Sequence, residues 1–152
     1  MKIALLVFTM LLGNLFTLNA LTLETVRKNY QLAIVDKSIC RSMIQQLENT
    51  QTSHIHMAYL GAFQTIWARH TSNPISKLKT FNKGKTNIDK AVRMVPNSVE
   101  IIFIRYSVQR NSPGFLRYNG NLKEDRNFLH EKWHSITSET LKTMVEQLLN
   151  RK

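Results

Sequence analysis

Apolar residues recur at the 3.6-residue spacing of a helix along nearly the whole chain beyond residue 20, and most of these stripes open on a capping residue. No stretch alternates with the period of two that a half-buried strand needs. This pattern predicts an all-α protein of about seven helices, packed as antiparallel helical hairpins. Leu23, Val26, Tyr30, Ala33 and Ile34 stripe a first helix over 21–35. Asp36 or Ser38 caps a second, carrying Cys40, Met43, Ile44 and Leu47. The connection between them is short enough to fold the two helices back on each other.

Ser53 is a good N-cap for a third helix, where Ile55, Tyr59, Ala62, Phe63, Ile66 and Trp67 make the strongest amphipathic stripe of the chain. Gly61 lies within it, and a glycine that weakens a helix is explained by close packing against a neighbour. Asn73-Pro74 reads as an N-cap followed by proline at the first helical position. The fourth helix then covers 74–95 through Ile75, Leu78, Phe81, Ile88, Ala91, Val92 and Val95, and Pro96 stops it. Ser98 caps a fifth, in which Ile101-Ile102-Phe103-Ile104 runs apolar on all sides; such a β-branched run also suits a buried strand. After the break Asn111-Ser112-Pro113-Gly114, residues Phe115, Leu116 and Tyr118 are expected to tuck onto the core. A sixth helix over 122–135 and a seventh, capped by Ser138 and striped by Leu141, Met144, Val145, Leu148 and Leu149, complete the chain.

Residues 1–20 read differently. Lys2 precedes the apolar run 3–18, which ends at Asn19-Ala20, the layout of a signal peptide. Gly13 and Asn14 interrupt the run, leaving it short of the roughly 20 clean apolar residues of a spanning helix. The expected organisation is a signal peptide, 1–20, then a single helical domain, 21–152, in the periplasm or outside the cell, with no transmembrane segment once the signal is removed. Cys40 is the only cysteine, so no internal disulfide forms, and its apolar neighbours predict an inert buried thiol.

The chain carries 21 Lys and Arg against 10 Asp and Glu, a net charge of +11. Such a balance attracts polyanions. In an exported protein these are envelope polyanions, and nucleic acid is not expected. Lys77, Lys79, Lys83, Lys85, Lys90 and Arg93 crowd the fourth helix, with Asp89 the acid among them. A solvated face is the ordinary outcome of such crowding.

His130-Glu131-Lys132-Trp133-His134 matches H-E-x-x-H, the spacing that sets two imidazoles on one helical face to hold zinc while the Glu polarises a bound water. A small zinc-dependent metallopeptidase is therefore an alternative function. Against it stand the charged Lys132 inside the motif and the lack of room downstream for a third ligand, since Glu139 and Glu146 lie close behind His134. No catalytic residue, metal or cofactor is assigned.

Part of the chain, roughly 55–110, resembles a tetratricopeptide repeat. Gly84, Ile88, Ala91 and Pro96 fall where the second helix of that repeat has its small, bulky, small and closing residues, and Tyr59-Leu60-Gly61 is similar to the Leu-Gly pair of a first helix. The stretch 69–79 is too long for a standard repeat turn, and no second copy follows at 34 residues. The chain as a whole also resembles small exported helical proteins of Gram-negative bacteria. The repeat resemblance implies a non-enzymatic module for protein–protein interaction. The resulting partner surface, for an unknown protein or an envelope polyanion, comprises Lys77, Lys79, Lys83, Lys85, Arg105 and Gln109.

Overall fold

The computed structural model of the protein describes residues 21–50 and 53–151. The predicted signal segment 1–20 lies outside the described residues. What is described is all-α: α1 (Leu23–Leu32), α2 (Lys37–Asn49), α3 (His54–His70), α4 (Pro74–Met94), α5 (Val99–Asn111), α6 (Leu122–Lys132) and α7 (Glu139–Asn150), with short 3₁₀ turns at Gly114–Leu116 and Trp133–Ser135. None of the described helices is long and apolar enough to cross a membrane.

Capping chemistry sets the helix starts. Asp36, Ser53, Asn73, Ser98 and Ser138 each accept a backbone N–H of the first turn they precede, satisfying donors that the helix leaves orphaned. Thr22 does the same for α1. Asp36, and not Ser38, caps α2, since its Oδ1 receives both Ser38 N and Ile39 N.

α3 is the centre of the molecule. Its sequence reads as one apolar stripe, yet 11 of its 17 residues are buried, including Gln64 and Thr65 on the side read as polar. It packs on α1, α2, α4 and α5 at once. The closest of these neighbours is α4, and Gly61 and Gly84 meet at the crossing. A Cβ on Gly61 would stand 2.5 Å from the Gly84 carbonyl oxygen and 2.8 Å from Ile88 Cγ1. A Cβ on Gly84 would strike the Gly61 carbonyl oxygen and come within 2.8 Å of Thr65 Cγ2. Two glycines therefore let two backbones touch.

α5 is a helix despite its β-branched run, with nine of its 13 residues buried against its neighbours. Around α3 the rings of Tyr30, Tyr59, Phe63 and Phe103 pack largely edge to face, with centroids 5.7–6.5 Å apart. Cys40 is fully buried beside them, its Sγ 3.4 Å from the Phe63 carbonyl oxygen. Burial pushes its thiol up to about 12, which removes thiolate chemistry at neutral pH.

Candidate binding site

The first half of α4 departs from expectation. Ile75 and Leu78 continue the apolar stripe of the fourth helix in sequence, but they are 80% and 48% exposed. Phe115, expected against the core, is 81% exposed, while Tyr118 is buried as anticipated. Among the described residues the apolar stripe of α4 is covered by no element here. Instead it forms one wall of a groove of about 380 Å³.

Four elements and one turn build the groove. α1 contributes Tyr30 and, just past its end, Ile34; α3 contributes Thr65, Ile66, Ala68 and Arg69. The α4 wall is Pro74, Lys77, Leu78 and Phe81. Ser107, Val108 and Asn111 of α5 line the floor, and the Pro113–Leu116 region closes the far side with Phe115 and Leu116. The Pro113 break is what turns the chain back over the groove, since proline cannot continue α5.

Polar side chains on these walls are hydrogen-bonded within the protein. Tyr30 Oη and Ser107 Oγ lie 3.0 Å apart in a shared hydrogen bond. Thr65 Oγ1 donates to the Ala62 carbonyl at 2.7 Å, Asn111 Nδ2 to the Ser107 carbonyl at 2.7 Å and Ser112 Oγ to the Val108 carbonyl at 2.6 Å. What faces the groove is consequently apolar. Arg69 and Lys77 differ: both are exposed, and among the described residues neither side chain forms an ion pair or hydrogen bond. No acidic residue lines the groove.

The six residues expected to form a partner surface are dispersed. With 3.6 residues per turn, Lys77 and Lys85 share one side of α4 while Lys79 and Lys83 share another. Lys77 reaches the groove. Lys83 Nζ pairs with Glu48 at 3.1 Å, and Lys85 Nζ sits 5.2 Å over the Tyr118 ring. Arg105 and Gln109 need correction, because they are interior groups. The Arg105 guanidinium grips Asp125 with two hydrogen bonds, Nε to Oδ2 at 2.8 Å and Nη2 to Oδ1 at 2.5 Å. Gln109 is 3% exposed; its amide accepts Asn121 N and donates to Asn121 Oδ1. Most of α5 is buried, so the polar residues among the buried ones must find partners inside.

A second buried ion pair lies away from the groove. Glu100, 6% exposed in the first turn of α5, accepts Arg27 Nε at 2.7 Å, Arg27 Nη2 at 2.6 Å and Tyr59 Oη at 2.8 Å. Arg27 also contacts Glu24 and Ser138 Oγ. The hydrogen bond to Glu100 holds the guanidinium firmly protonated, and burial raises the Tyr59 hydroxyl well above its usual range. This arrangement joins α1, α3, α5 and the cap of α7. None of its side chains lines the groove, so we read it as structural.

The H-E-x-x-H motif is broken at the backbone. α6 ends at Lys132, and Trp133–Ser135 turns as a 3₁₀ segment, so His130 and His134 do not share one continuous helical face. His130, Glu131 and His134 are exposed. Glu131 pairs with the neighbouring Lys132 at 2.7 Å, and the His134 ring packs edge-on to Trp133. Among the described residues no group of three His, Cys, Asp or Glu is placed to hold a metal ion.

Comparison with family models, curated proteins and solved structures returns no match, so a function for this chain has to be read from the groove's own geometry.

Proposed function

We propose that the chain is a non-enzymatic helical binding module and that its binding site is the apolar groove bounded by α1, α3, α4, α5 and the Gly114–Leu116 turn. The supporting observation is the exposure of Leu78 and Phe115, two large apolar side chains that line one concavity. Isolated exposed hydrophobics are ordinary on a protein surface; a concave apolar cluster with few free polar groups is the usual form of a ligand site. Its volume also falls within the range of about 300–1,000 Å³ typical of such sites. The module acts outside the cytoplasm, a part of the proposal that rests on residues 1–20 alone. The close α3–α4 crossing through Gly61 and Gly84 supports a repeat-like helical hairpin as the scaffold of the groove.

Titration with an uncharged, environment-sensitive apolar fluorophore tests the site. Saturable binding with one probe per chain is expected, lost in Leu78→Glu and in Phe115→Glu. Both positions are exposed enough for the fold to tolerate the change. A triple Lys79→Gln, Lys83→Gln, Lys85→Gln variant should bind as the wild type does. Absence of binding, or equal binding by the two glutamate variants, would overturn the assignment.

A further inference from the structure

We infer that the groove takes a single-chain amphiphile with an anionic head, an alkyl carboxylate, its tail along the apolar walls of the groove and its carboxylate at Arg69 and Lys77. The inference rests on the binding-site reading above and goes beyond it by naming the chemistry of the occupant.

Three observations select this class. First, the hydroxyls and amides of the walls are engaged with protein partners, so a ligand rich in hydroxyls would find few groups to bond. A buried polar ligand group left without a partner disfavours binding. Second, among the described residues the polar side chains with no partner on these walls are two cations, and no acid lines the groove beside them. Arg69 stands in the last turn of α3 and Lys77 in the first turn of α4, on either side of the short connection between the helices. They therefore mark one end of the groove, while Ile66, Leu78, Phe81 and Leu116 supply the apolar walls. Guanidinium matches a carboxylate with two parallel hydrogen bonds, and an ammonium adds a point charge. Third, the groove holds about 380 Å³. That lies within the range of about 300–1,000 Å³ typical of small-molecule sites.

Because both cations are exposed, water and salt screen them, and the head contributes selectivity more than affinity. Displacement of the bound apolar fluorophore by dodecanoate, dodecanol and dodecylammonium, each below its aggregation concentration, reads out that selectivity. At low salt dodecanoate is expected to compete roughly three- to tenfold better than dodecanol, with dodecylammonium weakest. The double variant Arg69→Gln, Lys77→Gln should bring dodecanoate down to the dodecanol level. Lys79→Gln, Lys83→Gln removes the same charge from the far side of α4 and should leave the preference intact.

Equal competition by dodecanoate and dodecanol in the wild type would overturn the anionic-head inference while leaving the groove assignment standing. Equal loss of preference in both double variants would show a general effect of net charge and would also overturn it. A concentration-dependent dimer that excludes the fluorophore would place a second copy of the chain in the groove and overturn the inference as well. Failure of the fluorophore itself to bind would remove the underlying site.

Discussion

Replacing Gly61 by alanine sets two helical effects against each other, and the structure decides the winner. Alanine gains about 1 kcal/mol over glycine in a helix interior. The new Cβ, however, stands 2.5 Å from the Gly84 carbonyl oxygen and 3.0 Å from the Ile88 amide nitrogen. Both are backbone atoms of a packed helix, which no rotamer change can move. Ordinary contact begins at 3.4 Å, so α3 and α4 must part by about 0.9 Å at the crossing. A gap of that size forfeits roughly a quarter to a half of the dispersion energy between the facing atoms. Overpacking costs about 1–3 kcal/mol and occasionally more, and here it strains the longest helix and the central one together. With backbone atoms in the way the cost falls at the upper end, about 3 kcal/mol, so set against the gain of about 1 kcal/mol we expect Gly61→Ala to lose about 2 kcal/mol net, a fall in Tm of roughly 8 °C at about 4 °C per kcal/mol for a domain of this size. Urea unfolding followed by helical circular dichroism measures it. Gly84→Ala should cost a similar amount, and the double variant less than the sum, because both open one crossing. Gly120→Ala is the control: nothing lies within 4 Å of its added Cβ, and a change within about 0.5 kcal/mol is expected. A Gly61→Ala protein as stable as the wild type would refute the close-crossing argument.

Removing one partner of the Arg27–Glu100 pair leaves a buried charge unmatched, so Arg27→Met should lose about 3–5 kcal/mol by denaturant unfolding. Adding Glu100→Leu to it should recover part of that loss, and a double-mutant cycle with no coupling would disprove the pairing. Burial lowers the pKa of His56 from its ordinary value, opposed by the Glu100 charge and a backbone hydrogen bond to Leu21. The unfolded chain then takes up this proton first as pH falls. The contribution is complete above pH 6.5 and declines below it, by at most about 1.4 kcal/mol per pH unit. Thermal unfolding between pH 7 and 5 should show a steeper decline for the wild type than for His56→Gln. Equilibration with zinc followed by metal analysis should recover no stoichiometric metal, and His130→Ala should leave that result and Tm unchanged; one zinc per chain, lost in the variant, would reinstate the H-E-x-x-H reading.

Local chemistry was the legible part of this fold. The caps at Ser53, Asn73, Ser98 and Ser138 act over one turn, and so does the stop after α5, which is why short-range residue patterns reveal them. Gly61 and Gly84 announced a close approach because a helix has little other use for glycine. The candidate site was not legible. Periodicity shows that Ile75, Leu78 and Phe81 share a face, but nothing in it says whether another element covers that face. Arg105 and Gln109 were misplaced for the converse reason. Polar residues read as surface until the burial of the whole helix is known, and the acid that neutralises Arg105 comes from α6, 20 residues on. The four consecutive apolar residues of α5 were the available signal, since a helix buried over most of its length also buries polar residues.

Ser138 donates to Glu24 across 114 residues, and Gln31 to Gln147 across 116. Such closure imposes an order on synthesis. Arg27 leaves the ribosome long before Glu100, and the α1–α7 contacts form later still, when the final described helix has been made. Contacts between such distant positions are slow to form, because the intervening chain must first give up its freedom. A nascent chain short of α7 therefore holds α1 without its last polar partners, and remains available to whatever machinery handles unfolded polypeptide until α7 has been made.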